Sequence, residues 1–184
     1  MTAAQLDRDA WITAGLEALE RGGAAAVAVV PLARELGVTR GSFYWHFGSR
    51  DELLAAVLAR WERDHSDAVL DALEQIADPR ERLRALFDRS GSKPASYFVR
   101  LLDAAGTEPL VRATLDRSAE RRLSVIARAC RQTGMTPAQA RRHALLCYAA
   151  YVGLAQLARD AQPAPARERA AFARHLAATL IPDG

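Results

Sequence analysis

The chain has 184 residues, 50% of them hydrophobic, and carries 25 Lys and Arg against 22 Asp and Glu. That is enough apolar material for a sizeable core, and too much for a disordered polymer. With 26% charged residues and no apolar run near the roughly 20 residues of a membrane helix, the composition excludes a membrane protein. A net charge of +3 is too mild to mark a nucleic-acid partner by itself. The start, MTAAQLDRDAW, lacks the basic stretch and apolar block of a secretory signal, so a cytoplasmic protein is expected. Cys130 and Cys147 lack zinc-ligand spacing and are expected to be small buried hydrophobes rather than a disulfide.

Almost every segment reads as helix, because Ala, Leu, Arg and Glu dominate between the breaks and nothing alternates for long enough to form a strand. Residues 9–21 place Ile12, Leu16 and Leu19 at helical spacing, and Gly22-Gly23 ends that helix. VAVVPLARELG is a short second helix, with Pro31 in its first turn and Gly37 as its stop. A third helix starts at Thr39, whose hydroxyl can cap it, and runs to about Phe47. Ser49 and Glu52 form a capping box in which Ser49 takes the Glu52 amide and the Glu52 carboxylate takes the Ser49 amide. That box opens a long helix through Leu53, Leu54, Val57, Leu58 and Trp61 to near Ala77.

Asp78-Pro79 starts the next helix, with proline at the first helical position, to about Ser90. Another covers about 95–105, and Thr107-Glu108-Pro109 begins a long one that ends at Gly134. Thr136 and Gln139 form a further capping box, opening a helix to about Asp160, and residues 166–180 make the last. The expected fold is all-α, with nine helices and no sheet. Three short helices (residues 1–48) form a helix-turn-helix head, and residues 49–184 form a larger helical body.

Helix two, a glycine turn and helix three have the order of a helix-turn-helix, whose second helix can enter the DNA major groove. Leu32, Leu36, Val38, Phe43 and Phe47 supply apolar contacts, and Phe43 and Phe47, four apart, share one face. Thr39, Arg40, Ser42, Tyr44, Trp45 and His46 are left on other faces, while Gly41 permits close approach. Arg40 can donate two bonds to a guanine edge, and Ser42 can contact several bases. Tyr44 and His46 can donate to phosphates, and Arg50 stands in the first turn of helix four, where free amides also favour an anion. Whether Trp45 reaches DNA or packs against helix one stays open.

The run LARELGVTRGSFYWHFGSRDELL, residues 32–54, resembles the tetracycline-repressor-like (TetR) regulators, a density of matches far more specific than a generic helix-turn-helix. With helix one the resemblance covers residues 9–60. Ala28 stands where that family usually has Thr or Ser, so no phosphate contact is carried to it.

The resemblance implies a DNA-binding transcriptional regulator, a repressor released from a palindromic operator by a small-molecule effector. It also implies an effector pocket among helices four to seven. Candidate lining residues are Trp61, His65, Phe87 and Tyr97, with Phe98, Leu101, Leu102 and Tyr151. A palindromic operator calls for a homodimer. The nearly all-apolar stretch LLCYAAYVGLAQLA points to Leu146, Ala149, Ala150, Gly153, Leu154 and Leu157 as its interface. Two alternatives are an effector-independent DNA binder or interaction module, and an all-helical enzyme. For the enzyme, His46, His65, His143 and His175 have no ligand spacing, and no H-E-x-x-H, P-loop or G-x-S-x-G motif is present. No enzyme activity, cofactor, metal or membrane partner is expected.

Overall fold

The computed structural model describes residues 7–92, 96–160 and 166–181, without the side chains of 89–92, 96, 97, 155, 157–160, 166 and 169. Its helices are α1 (Arg8–Gly22), α2 (Val29–Glu35), α3 (Arg40–Phe43), α4 (Arg50–Trp61), α5 (Ala68–Glu74), α6 (Pro79–Ser92), α7 (Ser96–Ala104), α8 (Pro109–Gln132), α9 (Pro137–Asp160) and α10 (Ala166–Leu180). A 3-10 turn, Ala24–Ala26, precedes α2, and a π-helical segment, Glu62–Asp67, joins α4 to α5. Counting that joined run once gives nine helices, and no strand occurs among the described residues. The all-α expectation holds.

The helix starts follow from local hydrogen bonding. Asp7 caps α1 by accepting from the Ala10 amide at 2.9 Å, and Gly23, at φ 72°, donates back to Leu19. Thr136 and Gln139 close a complete capping box at α9: the Gln139 amide donates to Oγ1 (3.3 Å), and the Gln139 Oε1 accepts from the Thr136 amide (2.9 Å). At α4 the box departs from its expected form. Ser49 does accept from the Glu52 amide (3.1 Å), but the Glu52 carboxylate accepts from the Gly48 amide (2.7 Å), one residue further out.

Two helices differ in length from expectation. The third helix is regular only over four residues. After Phe43 the amides of Tyr44, Trp45 and His46 bond three residues back, to Gly41, Ser42 and Phe43, which tightens the chain into turns before Gly48. The long fourth helix is interrupted by the π segment, where Ser66 is fully buried.

The chain forms two compact units, Met1–Ser66 with Ser96–Asp116, and Asp67–Ala95 with Arg117–Gly184. In the first, α4 packs on α1, α7 lies on α1 and the 3-10 turn, and α2 packs on α3. A Cβ on Gly15 would come within 2.6 Å of Val57, so α1 and α4 approach closely because that position has none. Trp11, Leu19, Phe43, Phe47, Leu53, Leu54 and Trp61 are buried in this unit.

In the second unit, α6 packs on α10, and Leu83, Phe87, Ile126, Ala129, Cys130, Ala144, Cys147 and Ile181 share one core. Both cysteines are free and buried there, as the sequence suggests. Burial, the largest cause, pushes the Cys147 thiol up to about 12, with Cys130 adding to the effect, and burial raises Cys130 as well. The thiolate is the reactive form, so both thiols stay protonated and inert at neutral pH. We expect no rapid reaction of the folded protein with a thiol reagent and two reacting groups after denaturation. A fast-reacting native thiol would contradict this burial.

Candidate nucleic-acid interface

The recognition segment stands on an aromatic hub. The Phe43 ring meets Trp11 edge-on (5.3 Å between centroids, 72°), Tyr44 edge-on (5.2 Å, 81°) and Phe47 stacked (5.5 Å, 21°). The Arg8 guanidinium lies over the Phe47 ring, 4.6 Å from its centroid. Leu32 and Ala33 of α2 are buried, whereas Leu36 and Val38 are half-buried. Between the two helices Gly37 adopts φ 68°, a left-handed conformation that a β-carbon would strain, and the Val38 amide returns to the Ala33 carbonyl at 2.9 Å. Ala28 caps α2 with no side-chain bond. Arg21 Nη2 donates to both carboxylate oxygens of Glu35, at 2.9 and 2.8 Å, and ties α2 to α1 at the surface.

With Phe43 and Phe47 turned inward, the remaining side chains of the segment divide by exposure. Thr39, Arg40, Gly41, Tyr44 and Trp45 are exposed, and Ser42 and His46 are half-buried. Thr39 spends its hydroxyl on the cap, accepting from the Ser42 amide at 3.4 Å. Arg40 donates to the Tyr44 hydroxyl at 3.0 Å and lies 5.8 Å from that ring's centroid, so the two side chains form one oriented pair. Trp45 is 86% exposed, so its indole is not packed against α1. A solvated indole of that size is rare on a surface that meets only water.

Arg50, expected as a phosphate contact in the first turn of helix four, is engaged within the chain. Its guanidinium turns back: Nε donates to the Val27 carbonyl (3.0 Å), Nη2 to the Ala24 carbonyl (2.7 Å), and Nη1 and Nη2 to the Glu108 carboxylate (3.1 and 2.9 Å). The hydrogen bond to Glu108 is the largest cause holding its pKa above the ordinary arginine value.

The expected effector residues are divided between the two units. Phe87 and Tyr151 line a closed cavity in the second unit with Leu86, Arg122, Ile126, Cys147 and Tyr148. It has room for about 20 Å³, roughly one water molecule. Trp61, Phe98 and Leu101 are buried in the first unit, Leu102 is half-buried there, and His65 is exposed. The side chain of Tyr97 lies outside the described residues. Arg122 was missed by sequence reasoning. It is buried, its Nη1 donates to the Ser118 hydroxyl at 3.2 Å, and its guanidinium lies 5.1 Å from the Tyr151 ring centroid. Ser118, Arg122 and Ile126 recur every four residues on α8, which was a readable signal of one shared face.

Of the expected interface residues, Leu146 and Ala149 are exposed, Ala150, Gly153 and Leu154 are half-buried, and the side chain of Leu157 lies outside the described residues. Leu145 and Phe172, not singled out from the sequence, are exposed as well, at 59% and 45%.

An exposed segment presenting Arg40 on a short helix and Tyr44 and Trp45 in the turns after it, carried on a buried aromatic support and preceded by a glycine turn, has the form of a helix-turn-helix DNA-binding module. Residues 12–57 match the family model described as bacterial regulatory proteins, tetR family. The HTH-type transcriptional regulator SrpR of Pseudomonas putida is 43% identical over 60 residues, covering 32% of this chain and 28% of SrpR. The match thus spans less than a third of that relative's length. Two solved structures share the whole fold. A transcriptional regulator from Saccharomonospora viridis in complex with choline has a TM-score of 0.77 at 22% identity, covering 92% of this chain and 94% of its own. AibR in complex with isovaleryl coenzyme A and operator DNA has a TM-score of 0.71 at 18% identity, covering 96% and 99%.

Proposed function

We propose that this chain is a DNA-binding transcriptional regulator, a repressor that binds a palindromic operator as a homodimer and is released by a small-molecule effector. Residues 1–48 read DNA, and residues 49–184 hold the effector and the partner copy. The observation that carries the reading is the exposed pair Arg40 and Tyr44 beside the solvated indole of Trp45, all on the segment supported by Phe43. Thr39, Gly41, Ser42 and His46 complete the DNA face. AibR, which has the same fold, was crystallised with both a ligand and operator DNA, and that supports both arms of the proposal. The dimer reading draws support from the exposed Leu145, Leu146 and Phe172 of α9 and α10, an apolar surface suited to a second copy.

Arg40→Ala is expected to relax base preference at one position of the selected site, with a loss of about 1–3 kcal/mol on the preferred base. Tyr44→Ala should weaken binding on all sequences alike and also loosen Arg40, because it removes the acceptor that orients the guanidinium. Binding titrations on duplexes chosen by in-vitro selection, and on their point variants, measure both effects. Folded variants that keep wild-type affinity and preference would remove the DNA-reading assignment.

The cavity at Phe87 and Tyr151 holds about 20 Å³, far below the roughly 300–1,000 Å³ of usual ligand pockets, and that favours a second reading, DNA binding without an effector. A wider pocket of about 330 Å³, open to solvent, lies along Met135, Gln139, Arg142, His143 and Leu146. Under the effector reading, ligand entry must push the cavity walls apart, so that binding and a change of shape are one event. Titrating small apolar compounds against the preformed complex separates the two: release supports an effector, and its absence across the series supports the second reading.

A further inference from the structure

Glu108 lies outside the helix-turn-helix pattern, 58 residues from Arg50 in sequence, yet it makes the strongest charged contact of that arginine. We propose that Glu108 is a positioning residue for DNA binding: it holds the Arg50 guanidinium turned inward, and a DNA phosphate at the start of α4 competes with it for that cation. The proposal rests on the DNA-binding reading above and adds a control to it.

Geometry makes the two partners exclusive. Glu108 engages Nη1 and Nη2 together, while Nε and Nη2 also serve the carbonyls of Val27 and Ala24, and Nη1 meets Asp51 at 3.2 Å. A phosphate binds arginine through the same planar fork, so it has to displace the carboxylate to be held bidentately. Arg50 is the first residue of α4, where free backbone amides already favour an anion, which is where a phosphate would arrive. The side chains of Arg50 and Glu108 are only 28% and 25% exposed, so solvent weakens this pair less than it weakens a surface pair such as Arg21–Glu17, at 55% and 59%.

The carboxylate is presented from a firm base. The Glu108 amide donates to the Ala104 carbonyl at 2.9 Å, its own carbonyl accepts from Arg112 at 3.1 Å, and Pro109 follows directly. Glu108 therefore sits at the mouth of α8, the same helix that carries Arg122 and Ile126 of the closed cavity. By linkage, whatever draws the mouth of α8 away from Arg50 favours DNA, and DNA binding favours that displacement by the same factor.

The test compares the wild type, Glu108→Gln, Glu108→Asp, Arg50→Ala and the Arg50→Ala/Glu108→Gln double variant. Each is titrated by fluorescence anisotropy on a duplex that the wild type selects from a random library, over a series of salt concentrations. Glu108→Gln should bind several-fold tighter at low salt and steepen the slope of log K against log salt by about 0.9, one additional neutralised phosphate. Glu108→Asp keeps the charge but draws it back by one methylene, so its slope should fall between those two. In the Arg50→Ala background, Glu108→Gln should leave the slope where Arg50→Ala puts it.

An unchanged slope in Glu108→Gln, or weaker binding at every salt concentration, would make Glu108 a structural strut and overturn the proposal. So would an equal steepening without Arg50, which would be a general charge effect. If Glu108→Gln does not fold, Glu108→Asp decides alone, and a wild-type slope there overturns the proposal. A wild type that selects no duplex at all would sink the DNA-binding reading itself, a result distinct from binding that ignores Glu108.

Discussion

Phe43→Ala is expected to cost the first unit about 3–5 kcal/mol, the usual range for emptying a buried phenylalanine site, and to abolish sequence-specific DNA binding. Phe43 is fully buried, and its ring is the shared neighbour of Trp11, Tyr44 and Phe47. Truncation removes the edge-to-face partners of one side and leaves a hole under the segment that carries Arg40 and Trp45. Since a whole domain is stable by only about 5–15 kcal/mol, that loss consumes a large fraction of the margin. All three tryptophans, Trp11, Trp45 and Trp61, belong to the first unit, so their fluorescence follows its unfolding in urea specifically. Phe43→Leu should recover most of the loss but not the ring-on-ring geometry, which is worth about 0.5–1.5 kcal/mol per aromatic pair. A midpoint for Phe43→Ala equal to the wild type would mean that the hub does not support the recognition segment.

The second large effect is expected at Arg82, on α6. It is buried, its Nε and Nη2 donate to the Ile76 carbonyl at 3.1 and 2.7 Å, and its Nη1 donates to the Gln132 side chain at 3.0 Å. One side chain thus serves the carbonyl just past the end of α5, where the helix dipole favours a cation, and the last residue of α8. Arg82→Ala strands the Ile76 acceptor and removes charge-assisted bonds, a loss of about 2–4 kcal/mol. Arg82→Lys should fall between, because a single ammonium cannot span both acceptors in the way a planar fork does. Arg84→Ala, at an exposed position of the same helix, serves as the control and should stay within about 0.5 kcal/mol. Urea unfolding followed by far-UV circular dichroism measures all three, since no tryptophan lies in the second unit. Equal midpoints for Arg82→Ala and Arg84→Ala would show that the fork stabilises nothing.

What could be read directly was what depends on neighbours a few residues away. Asp78 accepts from the Arg80 amide at 2.9 Å, Thr136 and Gln139 exchange bonds, and Gly37 and Gly134 take positive φ, as their positions in the sequence imply. The four-residue spacing of Phe43 and Phe47 likewise gave their shared buried face before any coordinates. Even locally there were limits. Ser49 was legible as a cap, yet the Glu52 carboxylate chose the Gly48 amide, because both amides lie within reach and sequence does not rank them. The length of α3 is not legible for a similar reason, since three-residue and four-residue bonding draw on the same residues.

The sequence by itself determined the helical class, the caps, the glycine turn and the pair of inward phenylalanines, because helix formation and capping are settled within about four residues of chain. Only the tertiary structure decided that Trp45 stands in solvent, that Arg50 turns to Glu108, and that Phe87 and Tyr151 meet around Arg122 while Trp61 belongs to the other unit. Each of those depends on a partner many positions away. A side chain's spacing along its own helix fixes which face it occupies, but not what the rest of the chain brings against that face.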